Sequence, residues 1–416
     1  FQEDHSRFLG DQYANEDYTP CKDILDVWFE SGATQGFVLE GREDLHRPAD
    51  LYLEGSDQHR GWFQSSLLVG CGTRGNAPFK AVATHGFTVD AKGHKMSKSV
   101  GNTISPVDVA KEMGVEILRL WVVSCDYTDD LRISNEILKY QQDIYRRYRN
   151  TLRYLLGALS AYQPSHDVDY DQLPDLEKWV LHRLNEIQKD FKSCLEKVDF
   201  QSFYSKLHTF CSVDLSAFYF DIRKDTLYCD DEGDMKRRAA LMVMKEVYEH
   251  LVHWLAPVVP FTAEEAWESY KPGSESIHLS IMPALVSQWH NEAVLSFYEK
   301  VREQRSTITA ALEIARKDGV IGSSLQAKVV VYDPENKLDS SVDFAELTIV
   351  SQLEIRKETA PEGVADNKGM GVFVQKATDQ KCERCWKVLP DVGSHPEHPE
   401  ACTRCADVVT HHRKAS

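Results

Sequence analysis

No stretch of the chain approaches the ~20 consecutive apolar residues that cross a bilayer, and no signal peptide opens it, the first residue being Phe1. These absences lead us to expect a soluble, cytoplasmic protein with no membrane partner. Positive charge is in deficit: 48 Lys and Arg stand against 65 Asp and Glu, a net charge of −17. That balance excludes a generic nucleic-acid coat, so any polyanion must be met by local basic patches. There is no Walker loop, no Ser-His-Asp pattern and no paired-carboxylate spacing, which leaves no covalent nucleophile to build a mechanism on. Cysteine pairing is missing too. Cys21, Cys71, Cys125, Cys194, Cys211 and Cys229 are scattered without a framework, as reduced thiols are in a reducing compartment.

What is present is organised around Lys95-Met96-Ser97-Lys98-Ser99, set among Gly86, Gly93 and Gly101. Glycines at those intervals predict a mobile loop rather than the interior of a helix or strand. Two flexible ammonium groups with two hydroxyls suit phosphate oxygens among which charge shifts. Upstream, Asp26 to Gly32 reads as a strand-like run closed by a turn, and Leu51-Tyr52-Leu53 as a buried strand. The latter opens into Glu54-Gly55-Ser56-Asp57-Gln58-His59-Arg60-Gly61-Trp62-Phe63, with a helix over 64–70. A strand, a polar glycine-containing loop and a helix in that order build ligand sites in doubly wound α/β domains. Ala81 to Thr84 is a further strand. Ser105 as N-cap, Pro106 and Asp108 start a helix that Gly114 stops.

From Asn135 the period changes to 3.6. Ile137, Ile144, Tyr148, Leu152, Leu155 and Leu159 make one apolar stripe, while Arg146, Arg149 and Arg153 share another face. Helices over 173–198, 200–220 and 233–255 follow, and Thr262 with Glu265 predicts a capping box. An all-α bundle over 135–270 results. Beyond it, one helix from Asn291 to Lys317 and strands at 327–332, 347–351 and 371–375 predict a small α+β module.

Cys382-x-x-Cys385 and Cys402-x-x-Cys405, sixteen residues apart, can each chelate as a knuckle. Together they complete a four-thiolate shell of the structural zinc type. His395 and His398 lie between them and offer alternative ligands. Arg384, Lys387, Arg404, Arg413 and Lys414 make this end basic, a better surface for RNA than the arginine face of the bundle. Glu54, Asp57 and Gln58 would hold an ammonium and ribose hydroxyls, although turn chemistry around Gly55 and Gly61 accounts for the same residues. Trp28 and Trp62 would wall an apolar pocket, and core packing accounts for them equally well.

Lys95 to Ser99 is the K-M-S-K-S signature, and with it the chain resembles the class I aminoacyl-tRNA synthetases. Asp26 to Gly32, Leu51 to Phe63, Thr84 to Val89 and the cysteine knuckles resemble the isoleucine-specific branch with a C-terminal zinc module. Glu54 to Trp62 is the specific part, and Glu30 departs from an expected aspartate. The resemblance implies a multidomain α/β plus all-α chain. It divides into the C-terminal part of a Rossmann-like catalytic domain over 1–131, an α-helical anticodon-binding bundle over 132–275, a small α+β junction over 276–378 and a zinc knuckle over 379–416. It implies isoleucine activation by ATP with Mg²⁺, transfer to tRNA(Ile), one structural Zn²⁺ and a monomer. Lys98, helped by Lys95, would stabilise the phosphates. Glu54, Gly55, Asp57 and Gln58 would bind the aminoacyl-adenylate, with Trp28 and Trp62 shaping the amino-acid pocket. The family's H-I-G-H signature and editing domain have no counterpart between Phe1 and Ser416. A C-terminal fragment is therefore expected, and the alternative is a non-catalytic tRNA-binding module.

Overall fold

The structure is a computed structural model describing residues 11–13, 18–19, 21–364, 366–367 and 369–415, without the side chains of 166, 366–367 and 412–415. Most of the polar N-terminal stretch lies outside the described residues. The chain divides into two compact units, one of residues 1–103 with 126–134, the other of 104–125 with 135–416. Among the described residues no helix is long and apolar enough to cross a membrane.

In the first unit, α1 is Trp28–Thr34, β1 Ala49–Gly55, α2 Trp62–Arg74 and β2 Phe79–His85. β1 and β2 pair in parallel, from Ala49 opposite Phe79 to Gly55 opposite His85, with α2 as the crossover that a parallel pair requires. β3 (Thr88–Val89) pairs in parallel with β4 (Leu131–Arg132). The strand expected over 26–32 is instead the start of α1. The buried Gln35 amide donates to Gly32 O and to Ser66 O at 2.7 Å, which ties the segment to α2. An apolar run this short carries no period that separates strand from helix.

The second unit opens with α3 (Pro106–Glu112), capped as expected by Ser105, whose Oγ accepts from Asp108 N at 3.4 Å. Gly114, at φ +94°, then turns the chain into α4 (Val115–Val123). The bundle comprises α5 (Asn135–Leu159), α6 (Asp175–Lys197), α7 (Phe200–Thr209), α8 (Asp221–Cys229), α9 (Met235–Leu255) and α10 (Pro260–Tyr270). A wide-turned π segment, Phe210–Phe220, joins α7 to α8 without a break, so this helix runs past the predicted end at 220. α9 packs against α5, α6, α8 and α10, with Trp179, Tyr219, Tyr248 and Trp254 sealed in the core. The α5 stripe is buried except at its start, where Leu138 takes the core place assigned to Ile137.

The Thr262–Glu265 capping box does not form. Helix α10 starts two residues earlier, at Pro260, and its cap comes from α4. Glu116 accepts from Phe261 N at 2.8 Å and Thr262 N at 3.0 Å, and the Thr262 hydroxyl donates to its other oxygen at 2.5 Å. A buried carboxylate on three donors satisfies the orphan amides of a helix start better than a local hydroxyl would.

Beyond the bundle lie α11 (Glu292–Lys317), β5 (Ala327–Tyr332), α12 (Phe344–Thr348), β6 (Gln352–Arg356), β7 (Asp366–Asn367) and β8 (Met370–Lys376). The sheet order is β6-β5-β8-β7, with β5 parallel to β6 and antiparallel to β8. The strand expected at 347–351 is mostly helix and turn. Asp343 caps α12 by accepting from Glu346 N at 2.9 Å, and Ile349 reverses the chain at φ +58° before β6 begins.

Helix α9 carries an acid-sensitive group. His250, 2% exposed, shares a 2.8 Å hydrogen bond with Glu246 O and meets the rings of Trp254 and Trp289 edge-on or tilted. Burial lowers its pKa to about 4. The unfolded chain, titrating near 6.5, then takes the proton first. Its contribution is complete above about pH 6.5 and is lost as pH falls towards 4. Urea unfolding at about pH 7.5 and about pH 4.5 should show His250→Phe losing some 2–3 kcal/mol less than the parent across that interval. Equal losses would contradict the assignment.

Candidate functional sites

The first site is built where β1 ends. Glu54 is exposed; its Oε1 accepts from Gly55 N at 3.0 Å and lies 3.8 Å from His85 Nε2 on the neighbouring strand. Gln58 organises the loop. Its Oε1 accepts from Trp62 N at 3.1 Å, its backbone oxygen accepts from Gly61 N at 3.1 Å, and its Nε2 donates to Asp57 at 3.2 Å. The Trp28 ring lies beside this turn, at Gly61, and Trp62 follows it. A Cβ on Gly61 would lie 2.7 Å from Gln58 Oε1 and 3.1 Å from the Trp28 ring, so a larger residue there would displace the Gln58 amide and press on the ring. Trp62 stacks on Tyr52 with centroids 4.2 Å apart and donates through Nε1 to Ser31 O at 3.0 Å. Trp28 stays half exposed.

The lysine loop has a hub that sequence reasoning missed. Asp90 Oδ1 accepts from Lys92 N and His94 N, both at 2.9 Å, and its Oδ2 accepts from Asn102 Nδ2 at 3.0 Å. Asn102 Oδ1 takes the Ser97 N–H at 2.9 Å, and its amide also donates to Lys95 O at 3.3 Å. These donors, led by His94 N, hold the Asp90 carboxyl at about 2. Gly93, at φ +85°, makes the reversal between the two amides. The only hint in the sequence was an Asp three residues before a Gly, an ordinary turn signal. Ser97 and Ser99 share a hydrogen bond of 3.1 Å. Lys95 and Lys98 are exposed, and neither forms an ion pair among the described residues.

The second site is a metal centre. The sulfurs of Cys382, Cys385, Cys402 and Cys405 lie within 4.8 Å of one another, all four residues buried. Cys385 Sγ and Cys402 Sγ are 3.8 Å apart. Four sulfurs held tetrahedrally about 2.3 Å from one zinc stand about 3.8 Å from each other, so the residues fit the ion. A short antiparallel pair, β9 (Gln380–Lys381) with β10 (Val388–Leu389), carries the first knuckle. The start of α13 (Thr403–Ala415) brings in the second. His395 and His398 stay outside this sulfur set and stack on each other at 5.5 Å.

Three of the knuckle cations already have partners on the bundle. Arg404 clasps Asp225 at 2.7 and 2.8 Å and reaches Asp230 at 2.9 Å, and Lys387 pairs with Asp225 at 3.3 Å. Arg384 donates to the carbonyls of Tyr228 and Cys229. All three fasten the zinc module to the end of α8. The side chains of Arg413 and Lys414 lie outside the described residues. On α5, Arg146 pairs with Asp143 at 3.0 Å, while Arg149 and Arg153 line a shallow cleft of about 180 Å³ with Thr262 and Glu265.

Comparison with known families follows the same order along the chain. Residues 1–134 match the family described as tRNA synthetases class I (I, L, M and V). Residues 177–331 match the anticodon-binding domain of tRNA ligase, and 379–408 match the zinc finger found in FPG and IleRS. The chain belongs to the class I tRNA synthetases. Within that class its relatives are isoleucine–tRNA ligases. One from Gluconobacter oxydans (strain 621H) is 49% identical over 412 residues, covering 99% of this chain, and one from Brucella abortus biovar 1 (strain 9-941) is 49% identical over 406 residues, covering 96%. The chain spans 42% of the length of each. Among solved structures, the agnB2 LeuRS of Agrobacterium radiobacter K84 in a ternary complex with tRNA and LeuAMS matches at TM-score 0.48 and 16% identity, over 59% of this chain and 29% of that one. Mycobacterium tuberculosis methionyl-tRNA synthetase with methionyl-adenylate matches at 0.47 and 19%, over 59% and 53%.

Proposed function

We propose that the chain supplies the second part of an isoleucine–tRNA ligase active site together with its tRNA-binding domains, and acts in the cytoplasm as a monomer. The reaction is ATP-dependent activation of isoleucine, with Mg²⁺, followed by transfer to tRNA(Ile). The observation that carries this reading is the pairing, within one compact unit, of the Glu54–Trp62 strand-end loop and the Lys95–Ser99 loop. In the first step the isoleucine carboxylate attacks the α-phosphorus of ATP and pyrophosphate leaves. Lys98, helped by Lys95, takes the negative charge that builds on the departing phosphates, a task for exposed ammonium groups on a shaped loop. Glu54 receives the α-ammonium of the amino acid. Gly55, Asp57 and Gln58 line the adenylate, and Trp28 and Trp62 border the side chain. Positioning and charge suffice, so no protein nucleophile is required. Residues 1–131 carry this chemistry, 132–275 the anticodon stem-loop, 276–378 the junction and 379–416 the zinc end.

The test is isoleucine-dependent ATP–pyrophosphate exchange, on this chain alone and then with the remaining part of a relative supplied separately. Exchange in the mixture supports the reading. Lys98→Ala should then reduce it by about 10²–10³-fold, the scale for removing one charge-stabilising group. A Lys98→Ala chain as active as the parent would end that assignment. The match of residues 177–331 to an anticodon-binding domain favours one other reading, a tRNA-binding module without catalysis. Silence in both exchange assays, from a folded chain that retains tRNA, would select it.

A further inference from the structure

Arg384 sits inside the first knuckle, between Cys382 and Cys385, yet its guanidinium faces the second. Nη1 lies 3.7 Å from Cys405 Sγ and also donates to Cys229 O. Nη2 donates to Tyr228 O at 3.1 Å. In return, the Cys229 thiol lies 3.8 Å from Arg384 O, and Cys229 packs directly among the four ligand cysteines. The charges distinguish Arg384 from its neighbours. Arg404 and Lys387 each have a carboxylate, Asp225 in both cases. Arg384 has no carboxylate partner among the described residues. One zinc ion on four thiolates carries a net charge of about −2. The last carbonyls of α8 add the negative end of a helix to the same spot. A half-buried cation without a carboxylate, between thiolates and helix-end carbonyls, has the metal centre as its counter-charge.

We propose that Arg384 is a positioning residue of the zinc centre. Its N–H group fixes the position of the Cys405 sulfur and clamps that sulfur to the C-terminal end of α8, so that the bundle helps to retain the metal. The inference rests on zinc occupancy of the four cysteines. Its chemistry is that of the outer ligand shell, where a donor to a ligating sulfur lowers the energy of the bound thiolate and slows its departure. Two carbonyls at the end of α8, those of Tyr228 and Cys229, hold the donor itself in place.

The experiment measures zinc content of the purified chain and then its release to a chromogenic chelator, in the parent and three variants. Arg384→Met should release zinc about 10–100-fold faster, the usual consequence of losing an outer-shell partner. Arg384→Lys, which keeps the charge without the fork, should fall between. Arg404→Met removes the Asp225 and Asp230 clasp but leaves the sulfur contact, and should change the rate by less than about threefold. In Co²⁺-loaded chains the sulfur-to-metal charge-transfer band should move to lower energy in Arg384→Met and stay in place in Arg404→Met, which a loss of docking alone would not produce. Release from Arg384→Met within about twofold of the parent would overturn the proposal, as would equal acceleration in Arg404→Met. A parent chain without zinc would remove the centre itself, and stoichiometry separates that result from the others.

Discussion

Chelating the zinc, or replacing Cys402 by Ser, should unravel residues 379–408 while most of the helical bundle stays folded. The apolar cluster around the four cysteines contains little else: Cys229, Val392, Ala401 and Ala406, with Leu389 partly buried against it. Burying so few side chains cannot offset the ordering of some thirty residues, so the metal supplies the difference. Structural zinc in small modules contributes on the order of 10 kcal/mol to folding, far more than the Arg404 and Lys387 pairs that dock the module. Hydrogen exchange followed by mass spectrometry is the measurement. Amides such as Cys382 N, which donates to Lys387 O at 2.8 Å, and Ala406 N, which donates to Cys402 O at 2.9 Å, should lose protection. Native mass spectra should show one ion lost. Unchanged protection after complete metal removal would show that protein contacts alone hold the module.

The second large effect is expected at Arg223. This side chain is 3% exposed and forks onto Glu177, itself fully buried, at 2.7 and 2.6 Å, while its third nitrogen meets Glu346 at 2.7 Å. The Tyr219 hydroxyl completes the cluster at 3.1 Å from Glu177, and Lys236 meets Glu346 at 3.0 Å. Arg223→Met should destabilise the second unit by about 3–5 kcal/mol, because it strands the Glu177 carboxylate in the core. Glu346→Gln should cost much less, since Glu346 is partly exposed and keeps hydrogen-bonding capacity. The double variant Arg223→Met with Glu177→Met should recover most of the loss, because two apolar side chains of similar length replace the pair without leaving a charge behind. Urea unfolding monitored by circular dichroism reads all three. A loss below about 1 kcal/mol in Arg223→Met would mean that the cluster is better hydrated than its burial indicates.

Arg223, Glu177 and Glu346 belong to α8, α6 and α12, 46 and 123 residues apart in the pairs they form, and nothing local announces such a cluster. The same limit explains the other misreadings. Thr262 and Glu265 had the spacing of a capping box, but Glu116, 146 residues away, outcompetes them. Leu347 to Ser351 had β-branched content, but the Asp343 cap turned its first residues into helix. Lys387 and Arg404 read as basic residues alone, and their carboxylate partner on α8 could not be seen from the sequence. What could be read directly was chemistry with strict local spacing. The cysteine knuckles, the Ser105 cap, the α5 stripe and the glycine-flanked lysine loop are each fixed by bonds or periods of a few residues. The strand-end loop was legible for the same reason, because strand, glycine and polar cluster are contiguous.

The lysine loop separates shape from charge. Asp90 and Asn102 set its path by gripping backbone groups, and neither Lys95 nor Lys98 lends a side chain to that grip. The ammonium groups are therefore replaceable parts on a frame that does not depend on them. Defects of the loop should come in two distinguishable kinds. A change at Lys98 leaves the path intact and alters only what the loop can hold, so an added small amine has a formed vacancy to fill. A change at Asp90 frees three donors at once and misplaces both lysines together, and no added amine can repair a path that is no longer there.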